Sequence, residues 1–383
     1  MHHIRPACVA DFPVLMERIL ASFSDGSPTH PPFDIIYPDV IRRDAACMPE
    51  WLLVESDGEI AAGLQLVPRP LVIAGEIELK AAGLGQVFCY PPFRRRGYMS
   101  ELLVAVNEKM AADGIAAGFL GGDRLRYGRY GWETAGNARE VGISGRLVPG
   151  LDSNGKWWQP RRWDGNVEDV PRMAAAYARL PYRAVRSAAE FARVMQRPGQ
   201  AIWFADTDGE FAYVSLTGNS IAEYAGDAAA LDRIIRYLAP RMGLHAYLPP
   251  DAAESALEQL LVRYAGRVSV TSADMVRVVS VARVLNSYQP MLERRLAGWS
   301  GAFSLAIADS AEAVALRGDG RRVRVELVTA DAGRPAELTL DRRDLARLLF
   351  GPCFPPLPPG LAEHEVVRRV FPLPLYWPPL SRV

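Results

Sequence analysis

Lysine is almost missing from this chain: Lys80, Lys109 and Lys156 are the only three among 383 residues, and arginine supplies the remaining positive charge. Arginine clusters are therefore a habit of composition here, and pairs such as Arg161-Arg162 or Arg342-Arg343 read as solvated faces. No surplus of either sign remains, with 44 Lys+Arg against 44 Asp+Glu, so no global field favours nucleic acid or an anionic membrane. Cysteine is scarce as well. Cys8, Cys47, Cys89 and Cys353 lie far apart with no C-x-x-C, which argues against a disulfide framework and a structural zinc site. The five histidines form no H-E-x-x-H or similar pair, so no metal is expected. No apolar run approaches membrane-spanning length, and MHHIRPACVADF lacks the apolar stretch of a signal peptide. A soluble, cytoplasmic protein is the expectation.

What is present suggests two or three domains, because one core rarely grows this large. Asp11 is placed to cap a helix whose apolar residues Phe12, Leu15, Met16, Ile19, Leu20 and Phe23 recur at helical spacing. Residues 51–73 read as a hairpin turning at Asp57-Gly58, and 78–90 as a further strand stopped by Pro91-Pro92. Met99, Leu102, Leu103, Val106 and Met110 then form one helical stripe, closed by Gly114. The turn- and tryptophan-rich segment 148–166 reads as a boundary. Residues 151–284 repeat the order more faintly, with a hairpin tip at Asp208-Gly209 and helices near 173–180, 228–238 and 252–264. From 285 onward the chain alternates like strands, then has a helix capped by Asp341 and ended by Gly351. A proline-dense tail, too stiff for helix or central strand, must lie extended over something. The expected fold class is α/β (α+β), in three units: 1–150, a degenerate copy at 151–284, and 285–383.

The stretch PPFRRRGYMS (91–100) sets three arginines before a glycine, and the glycine before the helical stripe. Such a loop leaves backbone N–H groups unpaired at a helix N-terminus, where the helix dipole favours an anion. Gly97 permits close backbone approach to a phosphate, and Arg94, Arg95 and Arg96 add charge-assisted contacts. Pro91 ends the preceding strand ladder and frees further N–H groups. The bland alternative is a solvated loop. Nucleic-acid binding fits less well, because the aromatic interleaving it needs is missing.

The segment VFCYPPFRRRGYMSELL resembles the acyl-CoA-binding segment of the GNAT family of N-acetyltransferases, Arg/Gln-x-x-Gly-x-Gly/Ala after a splayed strand. Arg94-x-x-Gly97-x-Met99 fits it except at Met99, which is bulkier than the family carries. YGRYGWETAG (127–136) is similar to the Tyr-Gly-Arg-Phe-Gly-Tyr segment of the Eis (enhanced intracellular survival) branch. That resemblance implies tandem GNAT-like domains followed by a sterol-carrier-protein-like domain, and a homo-oligomer, hexameric in the branch. It implies acetyl-CoA as co-substrate and an amine of a small molecule or peptide as acceptor. A rival expectation is a carrier of lipid or another apolar ligand with a vestigial CoA site.

Carried over by resemblance, Val87, Phe88 and Cys89 offer backbone donors to the thioester carbonyl. Arg94 to Ser100 (including Tyr98 and Met99), with Gly122 and Asp123, hold the CoA. Tyr127 matches the branch's tyrosine acid, with Tyr130 as the neighbouring rival. The branch takes the amine's proton on its terminal carboxylate, which makes Val383 the candidate base. A terminal carboxylate has a pKa of about 3.5, so burial or a relaying water must help. Arg382, next to it, argues against an acid-lined pocket for a highly cationic substrate; Asp25 is one available carboxylate. Trp51, Trp132 and the Phe33-Asp34 region line either the pocket or the core.

Overall fold

A computed structural model describes residues 1–24, 31–149, 159–207, 209–251, 255–329 and 336–383. Asp25 and Asp208 lie outside the described residues. Two seven-stranded sheets dominate. The first runs His2–Pro6, Trp51–Ser56, Glu59–Pro68, Ala81–Cys89, Ala117–Leu120, Asp274–Val278, Glu133–Ala135 in spatial order. Ala81–Cys89 and Ala117–Leu120 are parallel, and the helix Tyr98–Ala112 makes the crossover between them. That helix buries Leu102, Leu103, Val106 and Met110, the stripe expected from its spacing. Met99 is only half-buried.

The second sheet repeats the plan. Gln200–Thr207, Glu210–Thr217 and Ser220–Gly226 form an antiparallel meander. Helix Ala228–Met242 then crosses to the parallel strand Leu244–Leu248. The two sheets also trade strands. Ala138–Ile143 pairs with Leu244–Leu248 in the second sheet, while Asp274–Val278 pairs with Ala117–Leu120 in the first. Divisions drawn at 150 and 284 therefore cut across both sheets. Mixed α/β architecture describes the pair.

The last unit has a four-stranded sheet ordered Val323–Thr329, Glu312–Asp319, Ser300–Ile307, Leu338–Leu340. Asp341 caps its helix Arg342–Phe350 by accepting from the N–H groups of Arg343 and Asp344. Asp11 behaves otherwise. Its carboxylate takes the Cys8 N–H and the Arg5 guanidinium, and it makes no side-chain cap to the helix Phe12–Phe23. Tyr288, Phe303 and Phe350 fill the interior of the last unit and join one core with Phe119, Val276 and Val278 of the first sheet.

The proline-dense tail threads between all three units. The Asn137 N–H donates to the Leu375 carbonyl (3.0 Å), and the Tyr288 hydroxyl to that of Pro374 (2.6 Å). Trp377 stacks on Phe119 at 4.1 Å. Arg186 donates to Ser381 Oγ (2.7 Å) and Arg197 to the Arg382 carbonyl (3.3 Å).

Candidate active site

Strand Ala81–Cys89 is paired with Glu59–Pro68 on one side except at Gln86 and Val87, but its parallel pairing to Ala117–Leu120 ends at Gly83↔Phe119. From Leu84 onward that edge parts from its neighbour. A bulge marks the opening: pairing jumps from Gln65↔Gly85 to Gly63↔Phe88, and Gln86 takes a left-handed φ of 52°. The backbone amides of this segment are thereby released from the ladder on the opened side.

The arginine loop follows immediately. Arg95 (φ 67°) and Gly97 (φ 87°) are both left-handed, and no side chain caps the helix that starts at Tyr98. This curls the backbone into a concave turn with exposed amides, the geometry of an anion nest. One cavity of about 720 Å³ is lined by Val87, Phe88, Cys89 and every residue from Arg94 to Ser100, with Ser22, Phe23 and Arg126. Ten residues named from the sequence meet in that single space, and Ser22, Phe23 and Arg126 were not foreseen. Arg94 is turned to the loop's own architecture, donating to the carbonyls of Cys89 (3.3 Å) and Ser22 (3.2 Å). Arg95 and Arg96 remain at the exposed surface. Tyr98 points into the core, its hydroxyl donating to Ser56 Oγ at 3.0 Å. Burial pushes the Cys89 thiol up, which Arg94 and Arg96 offset in part.

Gly122 and Asp123 lie elsewhere. Asp123 caps the short helix Arg124–Tyr127 by accepting from the Leu125 N–H (2.8 Å), and lines a neighbouring cavity of about 350 Å³ with Tyr130. Gly122 lies under the Tyr127 ring, where a β-carbon would come 2.5 Å from Cε2. Tyr127 itself is 7% exposed and packs in one core with Leu102, Leu103, Val106 and Trp132. Burial raises its hydroxyl's pKa, against a smaller opposite effect of Arg126. Tyr130 donates to Ser100 Oγ at 2.6 Å. Trp51 and Trp132 are wholly buried, so they serve the core and not a pocket.

Val383 lies where the strands part. A β-carbon on Gly83 would come 2.5 Å from Val383 Cγ2, and one on Gly85 3.1 Å from its carboxyl carbon. A cavity of about 150 Å³ joins Val383 and Arg382 to Phe119, Leu120, Gly121, Trp377 and Asp274. Asp274 carries no signal in the sequence. Burial lifts its carboxyl to about 6, although Arg382 Nε stands 3.6 Å away.

Splayed parallel strands, a glycine-ended arginine loop and a crossover helix make an α/β fold whose concave turn suits a phosphate. Residues 38–135 match the family model of a GNAT acetyltransferase domain, so the chain carries such a domain. The fold is shared with a probable N-acyltransferase from Enterococcus faecalis V583 (13% identity, TM-score 0.69, 91% of this chain and 90% of that one). It is shared with a GCN5-related N-acetyltransferase from Kribbella flavida (18%, TM-score 0.62, 91% and 88%). Eis1 from Mycobacterium abscessus has it too (14%, TM-score 0.63, 91% and 89%), consistent with the Eis-like resemblance of the motifs. No curated protein matches the sequence.

Proposed function

We propose that this chain is an acetyl-CoA-dependent N-acetyltransferase acting on a primary amine of a small molecule or peptide by direct attack. One observation carries the reading: the nest of Arg95 and Gly97 opens on the same cavity as the parted strand Ala81–Cys89. The residues fit the co-substrate. Arg95, Arg96 and the uncapped amides of helix Tyr98–Ala112 suit a pyrophosphate, and a cavity of about 720 Å³ has room for a ligand of that size. Acetyl-CoA held there supplies an acetyl thioester. Those backbone amides of the Val87–Cys89 segment that face the opened edge then donate to a carbonyl oxygen as it gains charge. The Val383 carboxylate takes a proton from the incoming ammonium, and a tyrosine hydroxyl returns one to the departing sulfur.

Arg382 offsets one of the two carboxylates at this cavity, Asp274 and the Val383 chain end, which favours an acceptor of low charge over a polycation. In this reading the last unit, sterol-carrier-protein-like by resemblance, anchors the tail. The carrier alternative has less support, since Tyr288, Phe303 and Phe350 occupy that unit's interior.

Binding tests the proposal at its root. A ligand at a hundredfold excess over Kd stabilises by about 2.7 kcal/mol. Acetyl-CoA is expected to raise the Tm by several degrees, and Arg95→Glu with Arg96→Glu to remove most of that rise. An unchanged rise in the double variant places the co-substrate elsewhere.

A further inference from the structure

Glu258, on helix Ala256–Arg263, is 3% exposed, and only one of its oxygens is satisfied. Oε1 accepts from the Tyr224 hydroxyl at 2.6 Å, whereas Oε2 is buried with no hydrogen-bond partner among the described residues. A buried carboxylate oxygen in that state is unfavourable, and it invites a donor. Glu258 is one of the residues lining a cavity of about 30 Å³ between the second unit and the tail, together with Tyr177, Tyr182, Tyr247, Tyr376 and the Arg186-paired Glu223. That space suits one group of water or ammonium size.

Three of the nearby donors are already engaged. The Tyr177 hydroxyl donates to the Ala184 carbonyl (2.9 Å) and that of Tyr376 to the Tyr247 carbonyl (2.7 Å). Arg186 is committed to Glu223 (2.7 Å) and to Ser381 (2.7 Å). What faces the cavity is aromatic surface and an acceptor of negative charge. A neutral donor uses only the second; a cation with N–H groups uses both. We infer that this cavity is a second ligand site, separate from the arginine loop, which takes the head group of a protonated primary amine on Glu258 Oε2 and the tyrosine faces. A quaternary ammonium has no N–H to give and is rejected. Tyr376, Pro378 and Pro379 form one wall, so an occupant ties the tail to the second sheet. The inference does not depend on acetyl transfer.

The test uses the full chain without acetyl-CoA, titrated with methylammonium chloride, sodium chloride or tetramethylammonium chloride at matched ionic strength. The ligand-efficiency ceiling for two heavy atoms puts half-saturation at roughly 10 mM at best. A Tm rise of about 2 °C at tenfold saturation is expected for methylammonium only. Glu258→Gln should abolish it, and Tyr247→Leu, at a half-buried wall position, should weaken it about tenfold or more. The Tyr247 variant keeps the test open if Glu258→Gln does not fold. Equal responses to the three salts would mean the site holds water only. A methylammonium response that survives in Glu258→Gln would assign the binding to the cavity at Val383, and would overturn this site without touching the proposed activity.

Discussion

Two tyrosines three positions apart divide the roles an acid needs. Tyr127 is enclosed, and burial holds its proton on more tightly than in water. The Tyr130 hydroxyl is already engaged as a hydrogen-bond donor to Ser100 Oγ. A donor must be protonated until the sulfur leaves, which favours Tyr127. Tyr127→Phe is expected to lower kcat about 10²-fold or more with little change in the KM for acetyl-CoA. Normal turnover in that variant, with loss in Tyr130→Phe, would reverse the assignment. Asp274 offers a separate check. Its carboxyl is raised by burial to about 6 from 3.8, so the folded state binds the proton more tightly than the unfolded chain. Stability linked to this group is therefore lost as pH rises through 6, and regained as pH falls toward 4. Asp274→Asn should melt higher than the parent at pH 7.5, by up to about 3 kcal/mol, with the difference vanishing near pH 4. A difference independent of pH would show that the carboxyl titrates normally. Tyr127 stood in a local motif and could be read from it. Asp274 could not, because its burial and its arginine come from segments distant in the chain.

At the level of elements, local chemistry was readable and non-local pairing was not. Asp57 and Gly58 both adopt positive φ, as a two-residue hairpin demands, and the crossover helix follows its apolar stripe. The exchange of Ala138–Ile143 for Asp274–Val278 leaves no local trace, since any apolar alternating strand satisfies either sheet. Gly83 and Gly85 show the same limit. In sequence they merely weaken a strand. In the fold they clear the space that Val383 occupies. Gly83→Ala should push the tail out of the opening and lower kcat at least tenfold, with the acetyl-CoA-induced Tm rise intact. The companion change Val383→Ala removes the clashing Cγ2 and should restore much of the rate, a coupling that a double-mutant cycle reads directly. Equal losses with and without Val383→Ala would mean the glycine acts on the strand alone.

Across the whole molecule, the arginine-rich composition finds its use between units. Asp39 accepts from Arg69 of its own unit and from Arg197 of the second, which also holds the Arg382 carbonyl. Glu133, wholly buried in the first sheet, meets Arg124 and, from the last unit, Arg343 and Arg347. Burial works to raise the Glu133 carboxyl, but hydrogen bonds from Arg124, Arg343 and Thr134 outweigh it and hold it at about 2. Forked guanidiniums suit such shared carboxylates better than an ammonium does. These pairs fix three units rigidly enough to deliver a chain end to a distant strand. If that delivery supplies the base, position of charge matters more than the valine side chain. Adding a few residues after Val383 moves the carboxylate, and a cavity of about 150 Å³ cannot take a longer end. Transfer to any amine should then fall to background, while the Tm rise with acetyl-CoA survives, because Arg95 and Arg96 belong to the first unit. A C-terminally extended protein with full turnover would remove Val383 from the mechanism and leave Asp274, in the same cavity, as the carboxylate to examine next.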